Sequence, residues 1–123
     1  MVSRLILTAM AAVVLLAVPP ARAVEAPYEA GLLRLAEILG SLHFLRPLCG
    51  EEGEAWRAQM EALLETEKPD PALRARFIAS FNRGYRTFEA TYPACTASAA
   101  AAIALYMKEG EALARDIAAR YGN

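Results

Sequence analysis

Apolar residues recur along this chain at helical spacing, in four blocks separated by proline and glycine. In the first block Tyr28, Leu32, Leu35, Leu39 and Leu42 follow at steps of three and four, so they share one face of a helix over Pro27–Leu45. Pro47 is expected to end that helix, because proline disfavours helical geometry in the residue before it. Cys49-Gly50-Glu51-Glu52-Gly53 then reads as a short loop. A second helix over about Glu54–Glu67 gathers Trp56, Met60, Leu63 and Leu64 on one side. Lys68-Pro69-Asp70-Pro71 breaks it.

The third helix has the clearest start. Asp70 is a good N-cap acceptor, and Pro71 at the first helical position lacks only an N–H that would have no partner there. Leu73, Phe77, Phe81, Tyr85, Phe88 and Tyr92 follow at steps of four and three, an aromatic stripe with Phe81 at its middle that is expected to face the core. Pro93 ends it. Thr96 can cap a fourth helix reaching about Tyr121, with Ala99, Ile103, Tyr106, Gly110, Leu113, Ile117 and Tyr121 on its inner face. No segment sustains an alternation of period two, so no strand is expected. Connections of roughly three to eight residues suggest an all-α, four-helix bundle-like domain. The pattern leaves open which helices touch.

The first 23 residues stand apart. Arg4 precedes Leu5–Val18, a run of 14 residues without charge; Pro19-Pro20 breaks it, and Ala21-Arg22-Ala23 has the small-x-small form of a cleavage site. This is the order of a secretory signal peptide, and the run is shorter than the roughly 20 apolar residues a membrane span needs. Residues 1–23 are therefore read as a signal peptide and 24–123 as a single helical domain, periplasmic and without a membrane span once processed. The 56% hydrophobic content reflects this leader in part. An oxidising destination gives the two cysteines, Cys49 and Cys95, a default role as one structural disulfide. Their spacing is not that of a C-x-x-C oxidoreductase.

All 14 acidic residues lie beyond residue 23, with 11 of the 13 basic ones. Nucleic acid is not expected as a partner of such a chain. The charge is uneven: residues 24–67 hold nine acids and three bases, residues 68–123 five acids and eight bases. Within the basic half, Arg76, Arg83 and Arg86 fall on one side of the third helix, Arg83 about 20° from Arg76, with Asn82 at the margin. Guanidiniums so placed suit bidentate recognition of carboxylate or phosphate, which makes these four residues the candidate anion or partner-binding set. The competing expectation is that they pair with the acidic half, for instance with Glu61 or Glu65.

Catalytic chemistry has little to build on. His43 is the one histidine, at the edge of the first apolar stripe, and a half-buried, hydrogen-bonded role suits it better than a metal site without partners. No metal or cofactor is expected. Glu51, Glu52 and Glu54 crowd one loop, but nothing singles out an acid–base pair. No serine sits in a nucleophile elbow.

Several segments carry a likeness: Leu42-His43-Phe44-Leu45-Arg46-Pro47-Leu48-Cys49, Trp56-Arg57-x-x-Met60, Phe81-Asn82-Arg83-Gly84-Tyr85-Arg86, Thr91-Tyr92-x-x-Cys95-Thr96 and Glu109-Gly110-x-x-Leu113-Ala114-Arg115. Over roughly Leu39–Tyr121 the chain resembles an uncharacterised family of small exported alphaproteobacterial proteins with two well-separated cysteines. The resemblance implies a periplasmic location and brings no activity. The expected function is a non-catalytic binding or accessory module of the cell envelope, contacting a periplasmic protein or a wall component. The alternatives are a small wall-directed hydrolase using glutamates, or a purely structural protein.

Overall fold

The computed structural model describes residues 21–122. They form four helices, α1 (Ala21–Leu48), α2 (Ala55–Glu67), α3 (Pro71–Thr91) and α4 (Ala97–Tyr121), with no strand among them. The capping chemistry is as the sequence predicts. The Leu73 N–H donates to Asp70 Oδ1 at 2.8 Å, with Pro71 at the first helical position of α3. The Ala99 N–H donates to Thr96 Oγ1 at 3.1 Å to open α4.

α1 departs from expectation at both ends. It continues through Pro47 to Leu48. The proline removes one helical hydrogen bond, but the turn is held by the bonds that follow: the Cys49 N–H to the carbonyls of Leu45 and Arg46 (3.0 and 3.2 Å) and the Glu51 N–H to Arg46 (2.9 Å). Gly50 and Gly53 then take φ of +106° and +100°, which side-chain-bearing residues rarely adopt, and turn the chain toward α2. At the other end α1 already runs from Ala21, the first described residue, so the expected cleavage point after Ala23 falls within the helix. The apolar run Leu5–Val18 lies outside the described residues.

α1 is a hub. From Gly31 to Arg46 every residue is buried or half-buried, on all sides of the helix. A helix covered on all sides belongs at the centre of a domain, whereas one with a single apolar stripe belongs at its edge. α2, α3 and α4 are of the second kind, and each packs mainly on α1 and little on the others. Tyr28, near the start of α1, meets Glu67 of α2 and Tyr121 of α4. The other end of α1 is joined to the start of α4 by the Cys49–Cys95 disulfide, whose α-carbons are 5.0 Å apart. Hence α2 and α4 run antiparallel to α1. Glu29–Arg76, Glu37–Arg83 and Phe44–Tyr85 contacts set α3 parallel to it.

The core follows from this arrangement. Leu32, Ala36 and Leu39 of α1, Met60 of α2 and Phe77 of α3 form its centre, with Phe77 fully buried. Phe81, Tyr85, Phe88 and Tyr92 are only half-buried. The aromatic stripe does face inward, but its buried member is Phe77 rather than Phe81. The inner face of α4 lies as its spacing predicts: Ala99 is buried and the other six named positions are half-buried.

α1 and α3 touch backbone to backbone. A β-carbon at Gly40 would fall on the Phe81 carbonyl, and one at Gly84 would fall on the Glu37 carbonyl and 2.6 Å from Ser41 Oγ. Ser41 and Ser80, both buried, keep this crossing narrow. Ser41 satisfies its hydroxyl by donating to the Glu37 carbonyl at 2.8 Å. Gly84→Ala is expected to destabilise by about 1–3 kcal/mol, the cost of overpacking a close contact, even though alanine is the better helix former. Chemical denaturation checks this; a variant as stable as the parent would show that the helices sit further apart.

Candidate functional site

Because α2 and α4 both lean on α1 and not on each other, they leave a groove between them. Its floor is Leu35, Ile38, Leu39 and Leu42 of α1; one wall is Trp56, Gln59, Ala62, Leu63 and Thr66 of α2; the other is Tyr106, Met107, Gly110, Glu111 and Ala114 of α4. Its volume is about 450 Å³. Toward Tyr28 it passes, by way of Leu35, Leu63 and Ala114, into a recess of about 230 Å³ that ends at Glu67, Ile117 and Tyr121. Gly110 lets the α4 wall sit close to the floor, since a β-carbon there would lie 3.3 Å from Ile38 Cγ2.

Both ends of the groove are pinned by polar contacts. At the loop end, Glu51 accepts from the Arg46 guanidinium and, at 2.6 Å, from Trp56 Nε1, while Arg46 also lies over the Trp56 ring. These contacts fix Trp56 at the mouth of the wall. They hold the Glu51 carboxyl below its ordinary range, chiefly through the Arg46 hydrogen bond. At the far end the Tyr28 hydroxyl donates to Glu67, and its pKa is pushed up to about 12, first by that hydrogen bond, then by burial and by the carboxylate charge. A raised pKa means that the neutral phenol is favoured by folding. Its stabilisation is complete below pH 10 and is lost as pH rises from 10 through about 12. Tyr28→Phe is expected to remove that part of the alkaline destabilisation, as read from denaturant midpoints at pH 9 and above.

Behind the α4 wall, Arg34 donates to Glu109 through both Nε and Nη2, at 2.6 and 2.9 Å, and lies over the Tyr106 ring. It also reaches Glu37 at 3.4 Å, which in turn meets Arg83 at 3.2 Å. One chain of charges thus ties α4, α1 and α3 together. Arg34 holds the Glu109 carboxyl below its ordinary range, chiefly by its hydrogen bonds. That contribution is present above the ordinary carboxylate range and is lost as pH falls through the lowered value. Both carboxyls with a resolved shift, Glu51 and Glu109, therefore move in the wrong direction for a general acid.

The arginine set is partly spoken for. Arg76 pairs with Glu29 at 3.5 Å and Arg83 with Glu37, both acids being on α1 and not on α2. Glu61 is instead paired with Arg57 at 3.6 Å. Arg86 is exposed and forms no ion pair among the described residues. Asn82 lines a different recess, between α2 and α3, with His43, Glu61 and Tyr85. The structure does not gather the four into one site. Replacing Arg76 and Arg83 by glutamine is expected to cost no more than about 1 kcal/mol per exposed pair, measurable by denaturation in low and high salt.

His43 is half-buried, with its ring 5.6 Å from Phe81 and 5.5 Å from Tyr85. The expected hydrogen bond is missing at Nδ1, which is buried without a partner; Nε2 lies 3.9 Å from the exposed Glu54 carboxylate. Among the described residues no three His, Cys, Asp or Glu side chains gather as a metal-binding group, and no helix is long and apolar enough to cross a membrane.

The fold and the groove define a class: a disulfide-pinned helical protein in which a buried central helix carries three others and leaves an open apolar trough. The chain belongs to DUF2385, a family described as a protein of unknown function, whose profile matches residues 27–121. No curated protein and no solved structure matches it.

Proposed function

We propose that this protein is an exported, non-catalytic binding module of the bacterial cell envelope that takes its partner in the groove between α2 and α4. The signal-peptide form of residues 1–23 and the Cys49–Cys95 disulfide support an oxidising, periplasmic destination. The resemblance to exported alphaproteobacterial proteins points the same way. The observation that carries the binding role is the groove itself: an open, largely apolar trough on a small domain, with Trp56 and Tyr106 at its sides. The hydrolase alternative needs a carboxyl raised in a cleft, and the two shifted carboxyls are lowered and paired with arginine. The purely structural alternative leaves the groove without a role.

The test is site-specific photocrosslinking in living cells, with the crosslinking residue placed at Gln59 in the groove or at Arg86 on α3. The proposal expects a discrete adduct from position 59, absent from position 86, recovered in the periplasmic fraction. An adduct from position 86 alone would move the functional surface to the basic face. Recovery of the protein in the cytoplasm with its cysteines reduced would overturn the export reading.

A further inference from the structure

Deepening that reading, we infer that the occupant of the groove is a cationic amphipathic helix of a partner protein. Three observations on the groove converge on it. The first is shape. From Leu42 to Tyr28 the trough follows α1 for about 21 Å, at 1.5 Å per residue, the length of roughly four helical turns. The second is the scarcity of polar groups. Beside the ring edges of Trp56 and Tyr106, only Gln59 and Thr66 bring uncharged polar groups to the main lining, and its floor is leucine and isoleucine. An extended peptide laid there would leave its N–H and C=O groups without partners, whereas a helix brings its own hydrogen bonds and needs only an apolar stripe.

The third is charge. The charged side chains on the lining are Glu111 and Glu67, and no lysine or arginine joins them. Glu111 is exposed and carries no ion pair among the described residues. The rim therefore offers acids to the flanks of whatever lies in the trough. Lysines or arginines bordering the apolar stripe of a docked helix would meet them, while a fatty acid or an anionic phospholipid would bring like charge.

The probe is a pair of synthetic peptides of about 16 residues, long enough for the trough, with the same leucine stripe and either lysine or glutamate on the polar positions. Trp56 is the only tryptophan and lies in the groove wall, so its emission reports occupancy directly. The lysine peptide is expected to shift Trp56 emission saturably and with one-to-one stoichiometry, and to gain helicity as it binds. The glutamate peptide is expected to bind about tenfold more weakly or worse. Glu111→Lys is expected to weaken the lysine peptide about fivefold or more, and Ala114→Phe, at an exposed wall position, to abolish its effect on Trp56 by filling the trough. Equal binding of the two peptides would overturn the inference. So would a Trp56 response to laurate or to lysophosphatidylcholine and none to the lysine peptide, or a peptide-free dimer in sedimentation that Ala114→Phe dissociates. If Gln59 crosslinks in cells to an extended or acidic segment, this inference fails and the binding module stands; if Gln59 captures nothing, the binding module fails with it.

Discussion

Phe77→Ala is expected to lower the free energy of unfolding by about 3–5 kcal/mol, the cost of emptying a fully buried aromatic site. Phe77 has no exposed surface and sits between Leu32, Ala36 and Leu39 of the hub and Met60 of α2. Its loss opens a cavity where α1, α2 and α3 meet, and the backbone contact at Gly40 and Gly84 limits how far α3 can collapse into it. Small domains have about 5–15 kcal/mol in total, so the variant would be partly unfolded at 37 °C in a weakly stable background. Phe81→Ala is the control. Phe81 is half-buried beside the open recess near His43, so its truncation is expected to cost less. Urea denaturation of both variants decides; equal losses would show that the stripe is buried evenly along its length.

Cys49→Ser with Cys95→Ser is expected to cost about 4 kcal/mol in the chain-entropy view of a loop closed across 46 positions. The effect acts largely on the unfolded chain. It also has a local side: α4 packs chiefly on α1, and the bridge holds the start of one against the end of the other. Denaturation of the parent with and without reductant, set beside the double variant, measures the sum of the two. Parent and variant with the same midpoint under oxidising conditions would show that the bridge does not stabilise this fold.

Much of the fold is legible in the sequence for physical reasons. Asp70-Pro71, Thr96, and the runs beginning at Tyr28 and Ala99 each state a helix locally, and tertiary packing did not override them. Cys49 and Cys95 are legible as a pair because two lone cysteines behind a signal-like leader have few other expected roles. What was hidden is what depends on two segments at once. Gly40 and Gly84 look like weak points in two helices until α1 and α3 are laid together, when they become the only residues that fit. The pairing Ala36-x-x-x-Gly40 with Ser80-x-x-x-Gly84 was the available sign of a close crossing. Pro47 points to an earlier stop because the hydrogen bonds of the following loop, which offset its cost, do not show in the sequence. The spacing of the α3 arginines carries no sign that Arg76 and Arg83 meet acids of the central helix, which only the parallel setting of α1 and α3 brings near. The groove was invisible because no periodicity shows that two helices packed on a third will not meet.

Native-state hydrogen exchange, resolved by residue, tests most directly whether α1 carries the other three helices and leaves α2 and α4 apart. Amides of α1 between Ala36 and Leu45, where every residue is buried or half-buried, are expected to exchange only through global unfolding, while those on the groove sides of α2 and α4 exchange through smaller openings and respond first to low denaturant. Uniform protection across all four helices, or α1 exchanging before α2 and α4, would contradict the hub arrangement and the groove that depends on it.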